Sequence, residues 1–260
     1  MKIIVCVKQV PASDEVQFDH VQKKVVREGV ELVINPLDLH GIEAALKIKD
    51  ASGAEVVAVS LGPPPAEKAL RRAIAMGCDS GVLVCDREFA GSDTLSTSKA
   101  LAAVVSKLGG ADLILCGDHT TDGDTGQVPA ELAEMLNVPQ ATYGAEVEAE
   151  GGSVKVKRVL TGLIETVETP MPALVTVTKA IGKPRRPSLV GIKRARTAEV
   201  KTMTAADLGL TKADVGWDGS PTKTLSAYPP PSRPQSEKVE VSPEKSAARI
   251  VEILGQAGVA

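Results

Sequence analysis

Up to about residue 140 the chain alternates short apolar runs with longer stretches in which apolar side chains recur at helical spacing. KIIVCVK, EVVAVSL, GVLVC and DLILC read as strands. The first separator reads as a helix from about Pro36 to Asp50, with Leu39, Ile42 and Leu46 on one face and Pro36 suited to its first turn. A second helix is predicted from about Pro65 to Met76, ended by Gly77 at the position that favours a left-handed residue. A third starts at Ser92 or Asp93, either of which can cap it, and stops at Gly109-Gly110. Strands separated by helices of this length predict right-handed crossovers and a parallel sheet, with any ligand beyond the carboxyl ends of the strands.

Two segments break the rhythm. Residues 21–34 predict a short hairpin around Glu28-Gly29. From Tyr143 to Thr178 the runs are extended, turn at Gly151-Gly152 and predict an antiparallel meander. The fold class is therefore α/β: a mostly parallel sheet with an antiparallel meander and an extended C-terminal arm. The expected division is an α/β domain over 1–180 and a less globular loop-and-arm segment over 181–260. Within the latter, SAYPPPSRPQSEK is Pro-rich and extended, and an amphipathic helix is predicted from about Ser242 to Leu254. So little capacity for a separate core allows two arrangements, an arm lying on another chain or a tail folded back on its own domain.

Composition narrows the function. At 260 residues, 43% hydrophobic and 24% charged, the chain is ordinary for a globular protein, and its net charge of −3 argues against generic nucleic-acid binding. No apolar run approaches the roughly 20 residues of a membrane span, and the opening MKIIVCVKQV lacks a signal-peptide core, so a cytoplasmic location is expected. The cysteines Cys6, Cys78, Cys85 and Cys116 have no CxxC spacing and the three histidines are scattered, so neither a disulfide framework nor a metal site is expected. Aromatic residues make up only 2%, so a ligand would be held by backbone groups, hydroxyls and aliphatic surface.

The segment Ala111 to Gln140 carries the chemistry. A buried strand run, Leu113 to Cys116, leads into Gly117 to Thr125, which contain no large apolar side chain, and then into a helical pattern. One reading is a surface turn made of good turn formers. The other is a phosphate cradle. Thr120, Thr121 and Thr125 can donate hydroxyls, Gly123 and Gly126 admit close approach, and the following helix offers its positive end. The strand-to-helix position favours the cradle. Asp118, Asp122 and Asp124 would repel phosphate unless turned away, and Asp124 is the economical helix cap. Pro129 delays the regular helix to Val128, and His119 reads as a solvated or ligand-edge residue in preference to a catalyst. Asn35-Pro36-Leu37-Asp38 forms a second extended-to-helix junction at the same edge. There is no GxGxxG, no GxxxxGK[ST] and no nucleophile with a paired base, so no catalytic residue is assigned.

Taken together, IIVCVKQVP, INPLDLHGIEAALKIKD, SLGPPPAEKALRRAIAMGCD, DREFAGSDTLSTSKALA and LCGDHTTDGDTGQVPAELAEMLNVPQATY resemble the beta subunit of electron-transferring flavoproteins, over nearly the whole chain. The resemblance implies a Rossmann-like fold of the adenine-nucleotide-binding kind and a heterodimer with an alpha subunit carrying redox-active FAD. It implies AMP in simple carriers and a second FAD in electron-bifurcating members. It places nucleotide contacts at Cys6, Asn35, Pro36, Leu37, Asp38, Leu61, Cys116, Gly117, Asp118, Thr120, Thr121, Asp122, Gly123, Asp124, Thr125, Gly126, Gln127 and Val128. It also places a docking loop for an acyl-CoA or hydroxyacid dehydrogenase in KPRRPSLVGIKRAR, with Leu189 as anchor and Lys193, Arg194 and Arg196 as a basic rim.

The chain departs from the family pattern at Asp118 and His119, where a cation and Gln are common, at Val128-Pro129-Ala130 in place of Val-Gly-Pro, and at Thr161, Gly162 and Leu163. Gly123 stands where AMP carriers have an acidic residue, which favours FAD, with NAD entering as NADH, the transient hydride donor. The alternatives are a simple carrier holding structural AMP and a non-redox adenine-nucleotide-binding module.

Overall fold

The four apolar runs occupy the centre of a nine-stranded sheet. The computed structural model describes residues 1–12, 18–19, 24–25, 31–223, 225 and 242–259. In chain order the elements are β1 (Lys2–Cys6), β2 (Gln9–Pro11), β3 (Phe18–Asp19), β4 (Lys24–Val25), β5 (Leu32–Ile34), α1 (Pro36–Ser52), β6 (Glu55–Leu61), α2 (Glu67–Met76), β7 (Ser80–Val84), α3 (Thr94–Lys107) and β8 (Leu113–Gly117). They continue with α4 (Val128–Leu136), β9 (Gln140–Glu150), β10 (Ser153–Leu160), β11 (Leu163–Pro170), β12 (Ala173–Val177), α5 (Leu189–Thr197), β13 (Val200–Met203), α6 (Gly216–Gly219) and α7 (Pro243–Gln256). The sheet order is β11-β10-β9-β12-β8-β1-β6-β7-β13. The strands from β12 to β13 run parallel, while β9, β10 and β11 form an antiparallel meander. This is the expected α/β, Rossmann-like architecture.

Alternation along each strand sorts the core into two layers. Ile3, Val5, Val56, Ala58, Leu113 and Leu115 pack with α1 and α2 residues such as Leu46 and Leu70. Ile4, Val57, Val59 and Ile114 pack on the other face against Leu101, Val104 and Leu132 of α3 and α4. The central strands are buried on both faces, which is why they read as continuous apolar runs.

Two extended segments pair differently from expectation. Residues 32–34 pair with 9–11, and 24–25 pair with 18–19, so the two arms of the predicted 21–34 hairpin have other partners. Its turn at Glu28-Gly29 lies outside the described residues. Within 143–178, β12 leaves the meander and runs parallel to both β8 and β9. All five of its residues are buried, so it requires cover on both faces, and only a central position provides that.

Residues 181–223 belong with the sheet. One compact unit spans Met1–Ser226 and a second spans Ala227–Ala260. β13 adds to the edge of the sheet beside β7. Arg185 bonds the buried Glu43 of α1 through both Nε (2.9 Å) and Nη2 (3.1 Å) and also reaches Asp50 at 2.9 Å, tying the 183–188 segment to α1. α5 and α2 cap each other. Arg194 of α5 donates to Ile74 O at 2.8 Å and Cys78 O at 2.6 Å, and Arg71 of α2 donates to Ala195 O at 2.5 Å and Ala198 O at 3.3 Å. Each arginine thus adds a donor to carbonyls at or just past the end of the neighbouring helix. Taken by itself, α7 leaves Ile250, Val251, Ile253 and Leu254 exposed. The segment SAYPPPSRPQSEK lies outside the described residues, and no helix among those described is long and apolar enough to cross a membrane.

The α2–α5 contact depends on one missing methyl group. A Cβ on Gly191 would stand 2.1 Å from Ala75 O, a backbone atom that cannot swing aside. Gly191→Ala should therefore cost about 3 kcal/mol of unfolding free energy, read as a lower urea midpoint; an unchanged midpoint would show that α5 does not sit this close.

Candidate functional site

The carboxyl ends of β1, β6 and β8 open into one cavity of about 810 Å³. Cys6 and Lys8 line it from β1 and its exit, Leu61 from β6, Cys116 and Gly117 from β8, and Asp38 from α1. Thr120, Thr121, Asp122, Gly123, Thr125, Gly126, Gln127 and Val128 close it from the loop and the start of α4. A helix N-terminus faces it from each side, since Thr94 and Thr97 of α3 also line the wall. The two helix starts are clasped together. Thr94 Oγ1 donates to Glu131 Oε1 and Ser98 Oγ to Glu131 Oε2, each at 3.0 Å.

Of the residues expected to touch a nucleotide, Asn35, Pro36, Leu37, Asp118 and Asp124 stand outside the cavity wall. Asn35 is fully buried and holds the wall up. Its Nδ2 donates to Asp38 Oδ1 and to His119 O, both at 2.9 Å, and its Oδ1 accepts from Thr121 N at 3.3 Å. Asp38 in turn accepts from Lys8 N at 2.7 Å and from the Gly117 amide. Two nearby side chains thereby tie together the exit of β1, the start of α1 and the exit of β8. Gly117 is obligatory in this knot, because a Cβ there would meet Asp38 Oδ1 at 2.6 Å and Leu37 C at 2.9 Å.

Each loop carboxylate is neutralised or turned aside. Asp122 pairs with Lys8 at 2.8 Å, and although burial alone would raise its carboxyl, hydrogen bonds from Lys8, Thr120 and Gly123 hold it below the usual range. His119 stands between the other two, with Nδ1 3.2 Å from Asp118 and Nε2 3.6 Å from Asp124. Asp118 Oδ1 is buried without a hydrogen-bond partner among the described residues. Asp124 does not cap α4 as expected. It adopts φ 50°, and α4 begins at Val128 with no side chain bonded to its first amides among the described residues. Those amides remain available to an anion.

Several wall residues escaped the sequence reading. Lys8 follows β1 directly, and Ser92, Asp93, Thr94 and Thr97 begin the helix after β7. The same strand-to-helix rule that picked out 117–128 applies to GSDTLST, so that signal was present. Thr222 joins through Asp93 Oδ2, which accepts its amide at 2.9 Å, a contact with no local trace in the sequence.

The donor set fits an adenine nucleotide: two helix starts, threonine hydroxyls, one lysine, and a loop where a Cβ on Gly123 would meet nothing nearer than Thr120 Oγ1 at 3.7 Å. Away from the cavity, Leu189 and Val190 are 87% and 79% exposed at the start of α5. Lys193 and Arg196 are exposed beside them, while the Arg194 guanidinium is bonded to α2 carbonyls.

A family model described as "Electron transfer flavoprotein domain" matches residues 22–208. A relative from Thermoanaerobacterium thermosaccharolyticum, the electron transfer flavoprotein subunit beta, is 42% identical over 98% of both chains. The caffeyl-CoA reductase-Etf complex subunit CarD of Acetobacterium woodii is 38% identical over 92% of both. The acryloyl-CoA reductase electron transfer subunit gamma of Anaerotignum propionicum is 42% identical over 90% of both.

The knot makes a prediction that needs no ligand. Burial pushes the Asp38 carboxyl up to about 7 from an ordinary 3.8, against the pull of its three amide donors. Between these values the folded chain keeps a proton that the unfolded chain has released, so stability should fall as pH rises from about 4 to about 7. Urea unfolding across that window should reveal the slope, and Asp38→Asn, a neutral isostere of the protonated acid, should remove that component.

Proposed function

Because this chain belongs to the electron transfer flavoprotein family as a beta subunit, we propose that its cavity holds the adenosine and pyrophosphate of an FAD, and that the chain works as half of a heterodimer with an FAD-bearing alpha subunit. The single observation that carries this reading is the cavity of about 810 Å³ flanked by two helix starts, towards the large end of the roughly 300–1,000 Å³ typical of ligand sites. The open space at Gly123 supports the longer nucleotide over AMP, since an acidic side chain there would add bulk and charge beside a pyrophosphate.

In this reading the chain's residues bind and orient. The amides at the start of α4 and the hydroxyls of Thr120, Thr121 and Thr125 grip phosphate oxygens, and Lys8 exchanges part of its pairing with Asp122 for the anion. Asn35 and Asp38 keep the loop in register with the strand ends. The bound flavin would supply hydride acceptance from NADH and one-electron transfer onward. Two relatives are named as parts of complexes that reduce CoA thioesters, which supports a flavoenzyme acting on acyl-CoA as the partner. Leu189 and Val190, framed by Lys193 and Arg196, are the docking surface, and the exposed apolar residues of α7 lie against the alpha subunit.

Nucleotide extraction from the intact heterodimer tests the cofactor. Two FAD per heterodimer and reduction by NADH are expected; one FAD with one AMP and no NADH oxidation would replace the reading with that of a simple carrier. For the docking surface, Leu189→Ala should weaken binding of the acyl-CoA enzyme by about 2 kcal/mol, roughly 30-fold, with nucleotide content unchanged. Titration by calorimetry measures this, and equal affinity would remove Leu189 as the anchor.

A further inference from the structure

Two of the four cysteines meet at the floor of the cavity. β1 and β8 are adjacent parallel strands in the register Ile3↔Leu113, Ile4↔Ile114 and Val5↔Leu115, and the next step places Cys6 beside Cys116. Both side chains lie on the face carrying Ile4 and Ile114, and both line the cavity. Neighbouring strands stand about 4.8 Å apart, inside the roughly 4.4–6.8 Å range of Cα separations that a disulfide spans. β1 ends at Cys6 and β8 one residue past Cys116, at Gly117, so both thiols sit at the cavity end of their strands. Gly41 of α1 lies behind Cys116, where a Cβ would make ordinary contact with its carbonyl carbon at 3.5 Å.

We propose that Cys6 and Cys116 form a dithiol modification site, which a peroxide converts into an intrachain disulfide across the cavity floor. Cys6 is the more exposed of the two and meets the oxidant first. Its thiolate attacks one peroxide oxygen, the O–O bond breaks, and a sulfenic acid and one water result. The Cys116 sulfur then displaces the sulfenic hydroxyl as a second water and the S–S bond forms, so the dithiol loses two electrons and two protons to one hydrogen peroxide. The Cys116 thiol contacts the Cys6 side chain, and that contact, with burial, pushes it well above the ordinary thiol range. Its place beside Cys6, and not its acidity, makes it the resolving partner once the sulfenic acid forms. Cys78 is buried away from the cavity, and Cys85 is not in its wall.

The dithiol rests on strand register alone, whereas its shielding by a bound nucleotide rests on the function proposed above. One experiment separates them. The full chain, stripped of nucleotide, is treated with stoichiometric hydrogen peroxide, alkylated and digested without reduction. The expected product joins the Cys6 and Cys116 peptides, is reversed by dithiothreitol, and is absent from Cys6→Ser and Cys116→Ser. Wild-type mapping alone decides the matter if either variant fails to fold. Cys6 found as sulfinic acid beside a free Cys116 would overturn the proposal, as would a bridge to Cys85. Preloading with FAD should slow the cross-link about tenfold or more at saturating ligand. Cross-linking at an unchanged rate would sustain the dithiol and count against the nucleotide assignment of the cavity.

Discussion

The Asn35–Asp38 pair is the constraint on which the site depends. Parallel strands deliver their ends to one edge but leave the segments beyond those ends free to wander, and each exit here is a separate polypeptide excursion. Asn35 directs its side-chain amide to Asp38, His119 and Thr121. Asp38 takes amide protons from the exits of β1 and β8. A loop with no large apolar residue between 117 and 125 has no packing of its own to hold it, so buried hydrogen bonds hold it instead. The cost is a carboxyl group shut away from water, which is why burial dominates its protonation.

Under the proposed function, so acidic a loop would have to face an anion. The three aspartates are dealt with by three different means: an ion pair to Lys8, a buried position against His119, and an outward turn at positive φ. Asp118 and His119, adjacent in the chain, are also neighbours in space, with Nδ1 3.2 Å from the carboxylate. The remaining positive character comes from peptide dipoles, contributed by two helix starts that the Glu131 clasp holds side by side.

Much of this was legible in the chain. The apolar runs marked the central strands because burial on both faces leaves no alternation to confuse with a turn, and Asp93 and Val128 begin their helices where cap and proline chemistry put them. What escaped was nonlocal. Residues 32–34 pair with 9–11, and β12 inserts beside β8, because long-range partners offered better cover than sequence neighbours. Asp124 looked like a helix cap by spacing, but the loop needed a left-handed residue there and the cap was forgone. The sequence reads Asn35 as a ligand contact and Arg194 as part of a docking rim. Both residue types suit those roles equally well, and only the fold reveals that one props the wall while the other closes a helix end.

The reciprocal arginines between α2 and α5 carry a mechanical consequence. α2 comes soon after β6, whose last residue, Leu61, lines the cavity. α5 sits on α2 without the thickness of even a methyl group between Gly191 and Ala75. Leu189 and the cavity therefore belong to the same compact unit, Met1–Ser226. Anything seated on Leu189 would meet α5, α2 and the sheet edge as a single packed unit.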